Sequence, residues 1–208
     1  MAPVTELVLA ATIPGASQDS LFTIFSTLKT QPGSQRVRAA TLHEDPQQLR
    51  LFIDWDAVES HYAFRSSPGY GAFMSEITSL TAGPATAHPP AVLDSGKTAV
   101  AEMLLTYFAP EADAAKNKAA ALTLVSGLTG AGFAGINGES AVGWTVEKDV
   151  AYKGEKTRAL VILIGWDSVE AHRKARATDV YGKLVADFQG AAEGLKGFDI
   201  SHVTTKML

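Results

Sequence analysis

The 208-residue sequence contains no cysteine, which excludes disulfide bonds, thiolate nucleophiles and cysteine-bound zinc without identifying a cellular compartment. Long runs of basic residues are also missing. The formal net charge is −4 and the pI is near 5.7, a balance that argues against a nucleic-acid-binding surface. We therefore expect no nucleic-acid partner.

Long hydrophobic runs are missing as well. The longest apolar run near the amino terminus, residues 7–13, is interrupted by Thr12 and follows no basic segment, so it does not resemble a secretory signal. No stretch approaches the roughly 18 apolar residues of a membrane span. The sequence thus predicts a soluble, cytoplasmic protein without a membrane partner.

The most informative feature that is present is an internal repeat. Residues 55–61, WDAVESH, recur 111 residues later as WDSVEAH at 166–172. The same offset pairs Arg65 with Arg176, Tyr70 with Tyr181 and Gly71 with Gly182. Such agreement at one offset indicates a tandem duplication. We predict a first unit at 1–90, a linker at 91–96 that follows a proline pair, and a second unit at 97–208.

Each copy shows the same order of hydrophobic patterns. Strand patterns fall at 5–13, 36–42 and 48–55 in the first copy and at 101–108, 140–150 and 157–166 in the second. The helix patterns fall at 20–29 and 119–129, a broken helical pair follows each third strand, and final strands are predicted at 84–88 and 198–205. Residues 152–156 predict the tip of an extended hairpin.

This order is that of the ferredoxin-like, split βαβ arrangement. Helices cover one face of such a four-stranded antiparallel sheet, and the other face needs a second apolar surface. The sequence therefore predicts an α+β fold in which two ferredoxin-like βαββαβ repeats pack sheet to sheet as an intramolecular α+β barrel.

Residues around each third strand resemble the dimeric α+β barrel superfamily, most closely its antibiotic-biosynthesis-monooxygenase-like and stress-responsive A/B-barrel families. The resemblance rests on a strand-ending Trp, an acidic helix start, a later His and an early Tyr in the next helix: Trp55, Asp56, Glu59, His61 and Tyr70, and Trp166, Asp167, Glu170, His172 and Tyr181. It implies a small apolar or aromatic ligand held between sheet and helices, no cofactor, and a monomeric pseudo-dimer or a homodimer.

The acidic residues at these helix starts have a structural interpretation. Asp56 and Asp167 are each followed three residues later by Glu, which is close to a capping box. We interpret them as caps worth roughly 1 kcal/mol each rather than as a catalytic carboxylate pair.

The paired histidines leave two alternatives open. His61 and His172 precede Arg65 and Arg176 by one helical turn, and a neighbouring guanidinium lowers the pKa of an imidazole. A neutral imidazole could serve as a base. It could equally be a packed ring that donates one N–H to the end of a strand.

The paired tyrosines are also candidates for chemistry. In plant polyketide cyclases of the dimeric-barrel type, alignment of the helix break places the catalytic His at Tyr70 and its partner Tyr at Phe64, so both residue types differ here. A phenol with a pKa near 10 is a poor base at neutral pH. It can still hold a phenolic ligand or polarise a carbonyl, and the alternative is a Tyr that lines the helix–sheet space.

Other polar features carry weaker signals. His88 and His202 lie on the predicted final strands, but no H-x-H or H-x₃-H spacing occurs, so we expect no metal. Haem ligation by one His, which some families of this superfamily use, stays open. The glycine-rich segment 127–138 lacks the ending of a phosphate-binding loop and is interpreted as a connector beside a pocket mouth.

Two functions are compatible with these patterns. The first is a cofactor-independent monooxygenase, cyclase or isomerase acting on an aromatic or polyketide-like small molecule. Its expected catalytic residues are His172, Tyr181, His61 and Tyr70, and its expected substrate contacts are Trp166, Trp55, Arg176, Arg65 and His202. The second is a non-catalytic stress-responsive or small-hydrophobe-binding barrel whose repeated motifs serve folding alone.

Overall fold

The computed structural model describes residues 3–79, 81–82 and 98–208. The chain forms two compact units, one comprising residues 1–90 with 205–208 and the other comprising residues 91–204. The predicted linker at 91–96 and the predicted strand at 84–88, with His88, lie outside the described residues.

The first unit consists of short helices and an antiparallel sheet. Its strands are β1 (Val4–Thr12), β2 (Ser34–Thr41), β3 (Gln48–Trp55) and β4 (Thr81–Ala82). Its helices are α1 (Gln18–Ser26), which continues as a 3-10 turn over Thr27–Thr30, α2 (Val58–Arg65) and α3 (Tyr70–Thr78). The apolar faces of α1 and α3 pack on the sheet around Leu21, Phe25 and Trp55.

The second unit repeats this order with longer elements. Its strands are β5 (Val100–Phe108), β6 (Ile136–Trp144), β7 (Val150–Tyr152), β8 (Glu155–Trp166) and β9 (Leu195–Val203). Its helices are α4 (Ala114–Gly130), α5 (Val169–Arg176) and α6 (Asp179–Ala191). The predicted hairpin is present, since β7 pairs with β8 across a two-residue turn at Lys153 and Gly154, which both have positive φ.

Sheet topology confirms the ferredoxin-like prediction. The strand order is β2-β3-β1-β4 in the first unit and β6-β8-β5-β9 in the second, with every pairing antiparallel. In both orders the central pair is the first strand of the unit and the strand that ends in Trp, β1 with β3 and β5 with β8, as the split βαβ arrangement requires. The sheet-to-sheet packing of the two repeats stays a prediction.

The end of the chain adds a strand that the sequence pattern did not reveal. A short strand, β10 (Lys206–Met207), pairs with β2 and extends the first sheet. The Leu208 N–H donates to the Val37 carbonyl, and the Leu208 side chain packs against the first unit's core. Residues 205–208, which the sequence groups with the second unit, therefore belong to the first unit's sheet.

Each third strand ends in the same close contact. The backbone N–H of Asp56 donates to the carbonyl of Gly33, and that of Asp167 donates to the carbonyl of Gly135. Both glycines have a φ near 85°, and a Cβ on Gly135 would lie 2.6 Å from the Ala171 Cβ. Only glycine fits this approach of loop to helix, so the turn fixes where α2 and α5 begin.

The capping prediction for the two aspartates is wrong in its details. Ser168 is the N-cap of α5, and its hydroxyl accepts a hydrogen bond from the Ala171 N–H at 3.1 Å. The corresponding residue of α2 is Ala57, which supplies no side-chain cap, and Asp56 accepts instead from the Ser60 hydroxyl. The backbone contacts of the aspartates with glycine place them one residue before the capping position.

Only part of the glycine-rich segment 127–138 forms a loop, because its first residues belong to α4. Helix α4 continues through Gly127 to Gly130, and Gly127 packs closely against Leu184 of α6.

Within the described part of the chain, no helix is both long and apolar enough to cross a membrane.

Replacing Ser168 by Ala should lower the free energy of unfolding by about 0.5–2 kcal/mol, because the Ala171 N–H loses its acceptor. Asp167→Ala is the matched control and should cost less, since it removes only a charge near the helix start. Urea unfolding of both variants measures the difference. A larger loss in Asp167→Ala than in Ser168→Ala would contradict the assignment of the cap.

Candidate functional site

A carboxylate buried in the middle of an apolar strand defines the candidate site. Glu102 lies on β5, where all nine residues are buried, and only 1% of its surface is exposed. Its side chain shares the helix-facing side of the sheet with Leu104, which belongs to the second unit's core. Burial of a carboxylate costs free energy unless hydrogen bonds replace its water, so its partners are central to this unit.

Three side chains contact the Glu102 carboxylate, and a fourth lies behind one of them. The Trp166 indole N–H donates to Oε2 at 3.0 Å, and the Tyr181 hydroxyl donates to Oε1 at 3.3 Å. His172 Nε2 lies 3.0 Å from the Tyr181 hydroxyl and 3.3 Å from Glu102 Oε2. His172 Nδ1 lies 2.6 Å from Nε2 of His202. We call these five residues the Glu102 cluster.

The fold explains how residues far apart in sequence meet here. Trp166 ends β8, next to Glu102's strand, and His202 is the direct partner of Glu102 on β9. The break between α5 and α6, where Thr178 caps α6, directs both His172 and Tyr181 onto the sheet. Both residues are candidates that the sequence repeat indicated.

One arrangement of protons satisfies every contact in the Glu102 cluster. With both imidazoles neutral, His202 Nε2–H donates to His172 Nδ1, and His172 Nε2–H donates towards Tyr181 and Glu102. Tyr181 and Trp166 then donate to the two carboxylate oxygens. All donors therefore point towards the carboxylate of Glu102, which is the acceptor at the end of the chain.

The environment shifts the pKa values of this cluster in a consistent direction. Burial raises the pKa of Glu102 to about 7, although hydrogen bonds from Trp166 and Tyr181 and the charge of Arg176 oppose the rise. Burial, with the Glu102 charge second, raises the pKa of Tyr181 far above its ordinary value. Tyr181 is therefore a hydrogen-bond donor at neutral pH, whereas Glu102 can exchange a proton there.

A cavity of about 80 Å³ lies beside the carboxylate, between the sheet, α4 and α6. Glu102 and Tyr181 form its polar end, and apolar side chains such as Leu124 and Phe188 form most of the wall. Arg176, Gln189 and Phe198 also line it; Arg176 and Phe198 are exposed, which places the mouth on their side. This polar end inside an apolar wall is typical of sites for small organic molecules.

Apart from Leu128, which lies on α4, the glycine-rich segment 127–138 does not line this cavity. Its Phe133 and Gly135 border a separate, open groove of about 430 Å³ along α5. Phe133 also packs against the Tyr181 ring, with 6.1 Å between ring centroids. The connector therefore supports Tyr181 from behind rather than forming the mouth of the Glu102 cavity.

The first unit contains a reduced version of the same arrangement. The Trp55 indole N–H donates to Glu6 Oε2 at 3.0 Å, and His61 Nε2 lies 3.6 Å from Glu6 Oε1. Burial, and secondly the charge of Arg65, lower the pKa of His61 to about 4. His61 is therefore a neutral ring at pH 7, as the sequence predicted from its neighbour Arg65.

Tyr70 does not join Glu6 and His61. Its ring packs edge-on against Phe64, with 5.4 Å between centroids, and beside Phe73. The position that corresponds to Phe64 in the second unit is Ala175. We attribute the difference to size, because the small Ala175 side chain leaves space in which Tyr181 reaches the buried His172.

The remaining predicted residues are divided between core and surface. Trp55 and Trp166 are fully buried and bind the carboxylates through their indole nitrogens. Arg65 and Arg176 are exposed, and Arg176 lines the cavity, whereas His202 is buried against His172. The structure thus brings four of the predicted residues together around Glu102: Trp166, His172, Tyr181 and His202.

Glu102 itself is the residue that the sequence analysis missed. A signal was available, since an acidic residue interrupts an otherwise apolar strand, and Glu6 occupies the corresponding strand of the first unit. An isolated carboxylate in such a strand requires buried partners. The partners come from three other elements, and their arrangement could not be derived from the strand alone.

Cofactor and metal binding have little support in the residues of this site. The described part of the chain contains no group of three or more His, Asp and Glu residues arranged around a possible metal ion. Both ring nitrogens of His172 contact other side chains. A cavity of about 80 Å³ is also too small for a porphyrin.

No protein-family model and no curated protein matches the sequence. Solved structures do resemble it. An anthrone oxidase-like protein matches 100% of this chain and 94% of its own, with a TM-score of 0.71 and 12% identity. A protein from Fusobacterium nucleatum, provisionally named a monooxygenase, matches 99% of this chain and 94% of its own, with a TM-score of 0.61 and 9% identity.

A third structure, from Lactobacillus acidophilus and also provisionally named a monooxygenase, matches 100% of this chain and 96% of its own, with a TM-score of 0.55 and 9% identity. At these identities the likeness shows the fold. The resemblance to monooxygenase-like α+β barrels in tandem duplication, inferred from the sequence, is therefore confirmed as a resemblance of fold.

The raised pKa of Glu102 predicts a pH-dependent stability. The folded state holds a proton that the unfolded chain loses above a pKa near 4.5, so this contribution is complete at low pH and is lost as pH rises to about 7. Relative to Glu102→Gln, the wild type should lose at least about 1 kcal/mol between pH 5 and pH 8. Urea unfolding at both pH values measures this difference.

In the first unit, His61 should change the free energy of unfolding with pH in the opposite direction, which supplies a control. His61 has a lowered pKa, so its contribution is complete above pH 6.5 and is lost as pH falls towards 4. His61→Gln should therefore reduce the loss of stability in acid. Equal pH dependence of the wild type and Glu102→Gln would show that Glu102 titrates normally.

Proposed function

We propose that the protein is a cofactor-independent oxygenase whose second unit binds a small aromatic or polyketide-like molecule between sheet and helices. The observation that carries this proposal is the position of Glu102 and Tyr181 together at the closed, polar end of an apolar cavity. A scaffold does not require this arrangement, since the first unit folds around Glu6, Trp55 and His61 without a tyrosine in contact.

The dimensions of the cavity determine how a ligand would lie. Pockets that enclose a whole ligand usually measure roughly 300–1,000 Å³. The 80 Å³ beside Glu102 accepts only the polar edge of an aromatic molecule. The phenol or carbonyl oxygen would meet Tyr181, and the acidic C–H or O–H group would face Glu102. The rest of the ring system would extend past Phe198 and Gln189 towards the surface.

Charge at the mouth favours an electron-rich ligand with an acidic C–H or O–H group. The guanidinium of Arg176 lines the cavity and stabilises negative charge near Glu102. Removal of a proton from an anthrone or phenol gives a delocalised anion, which can reduce O₂ directly. Such chemistry requires a base, a donor to the developing oxyanion and a water-poor site rather than a metal.

The comparisons support the same class of reaction. One full-length structural neighbour is named as anthrone oxidase-like, and two others are provisionally named as monooxygenases. The identities of 9–12% extend that support only to the fold on which the site is built. We retain, as parts of this proposal, a cytoplasmic location and a monomeric or homodimeric state.

Oxygen uptake with anthrone, and with a panel of phenols and polyketide mimics, tests the function. Tyr181→Phe should lower kcat/KM at least 10-fold, because it removes the donor that faces the ligand. The matched variant Tyr70→Phe should retain wild-type activity, since Tyr70 packs against Phe64 and Phe73. Isothermal titration with the same compounds measures binding independently of turnover.

Two results would contradict the proposal. Absence of binding and turnover across the panel would support a non-catalytic barrel whose repeated motifs serve folding. Loss of activity in Tyr70→Phe, with wild-type activity in Tyr181→Phe, would move the site to the first unit.

A further inference from the structure

We propose that Glu102 is the residue that removes the proton from the substrate, an inference that rests on the oxygenase function proposed above. The carboxylate lines the cavity, and among the described residues its Oε1 accepts a single long hydrogen bond, 3.3 Å from the Tyr181 hydroxyl. A carboxylate oxygen has two lone pairs, so Oε1 can accept a further proton from a molecule in the cavity.

His172, the base expected from the sequence, is poorly placed for this step. It is fully buried and is not among the residues that line the cavity. Its Nδ1 contacts His202, and its Nε2 contacts Tyr181 and Glu102. A general base needs an accessible lone pair within hydrogen-bond reach of the substrate, and His172 offers none.

Tyr181 is excluded from the role of base for a different reason. Burial and the neighbouring Glu102 charge raise the pKa of its phenol far above neutrality, so its proton stays on oxygen. Its position at the cavity wall suits a donor instead. We assign Tyr181 to hold the substrate oxygen, on which negative charge develops once the proton has left. The phenol has one proton, which turns from Glu102 Oε1 to that oxygen when the substrate binds.

His172 and His202 act on the substrate only through Glu102 and Tyr181. The hydrogen bonds run from His202 through His172 to Tyr181 and the carboxylate, so the imidazoles hold the acceptor geometry that Glu102 needs. They are positioning residues. Trp166 has the same role on the other oxygen, where its N–H fixes Oε2 and leaves Oε1 towards the cavity.

The proposed reaction balances with O₂ as the only co-reactant. Glu102 takes a proton from the substrate CH₂, and the C–H electron pair stays on the substrate as an enolate. The carbanion forms a C–O bond with O₂, giving a peroxide anion that receives the proton back from Glu102. Glu102 then removes the second C–H proton, the O–O bond breaks and hydroxide leaves. The CH₂ has become a carbonyl, and proton and hydroxide form water.

The charged and titratable groups around Glu102 are consistent with a carboxylate that works near neutral pH. His172 and Arg176 face it from α5, Tyr181 from α6 and His202 from β9. Burial raises the pKa of Glu102 to about 7, which is the range in which a base transfers protons most effectively. The kcat/KM of the wild type should therefore rise with pH through about 7.

Exchange of the anthrone methylene protons with D₂O, measured by NMR without oxygen, isolates the proton-removal step. Glu102→Gln should lower the exchange rate and the aerobic kcat/KM by at least about 100-fold, the usual contribution of a general base. It should still bind anthraquinone, which has no methylene proton for Glu102 to remove. Glu102→Asp should recover part of the exchange, because it keeps a carboxylate. Any residual activity of Glu102→Gln should show no inflection near pH 7.

The matched control is Glu6→Gln, which removes the corresponding carboxylate and its bond to Trp55 in the first unit. It should leave exchange and turnover unchanged. If Glu102→Gln exchanges the methylene protons at the wild-type rate, and the wild type consumes oxygen, Glu102 is not the base. The oxygenase function would then still stand. Loss of exchange in His172→Asn but not in Glu102→Gln would assign the base to the imidazole. No exchange or oxygen uptake by the wild type would contradict both proposals.

Discussion

A carboxylate buried on an apolar strand must have its hydrogen bonds supplied by the protein, and the second unit is organised around that requirement at Glu102. Trp166 at the end of the neighbouring strand and Tyr181 at the start of α6 provide the donors. His172 and His202 extend the chain of hydrogen bonds behind them. Loss of a donor would leave part of a buried charge unsatisfied, so the strand, the helix break and the cluster depend on one another.

Duplication followed by divergence explains why the two units differ in chemistry while they share a fold. Both retain a Glu, a Trp and a His in contact, which is sufficient to hold a helix against the sheet. In the first unit, Phe64 packs against Trp55 and keeps Tyr70 in an aromatic cluster. We attribute the difference to side-chain size at one position, where the first unit has Phe64 and the second has Ala175. The first unit therefore has a packing motif, and the second has a cluster that faces a cavity.

The sequence predicts the order of elements well because hydrophobic period and the repeat are local signals, as at β3, whose bounds match the predicted 48–55. It predicts less where a partner is distant. The cap of α5 falls on Ser168 because the backbone contact between Asp167 and Gly135 fixes the turn. Strand β10 forms because β2 offers an edge of the first sheet with which it can pair. The repeat indicated His172 and Tyr181 as candidate residues, whereas Glu102 emerges only when four elements are assembled.

The central claim is that Glu102 exchanges a proton near neutral pH because of its burial. NMR titration of protein with ¹³C-labelled glutamate carboxyl groups observes this proton directly, and the signal absent from Glu102→Gln identifies the residue. We expect that signal to titrate with a midpoint at about 7, well apart from those of exposed glutamates. A midpoint near the ordinary glutamate value of 4.5 would contradict the account.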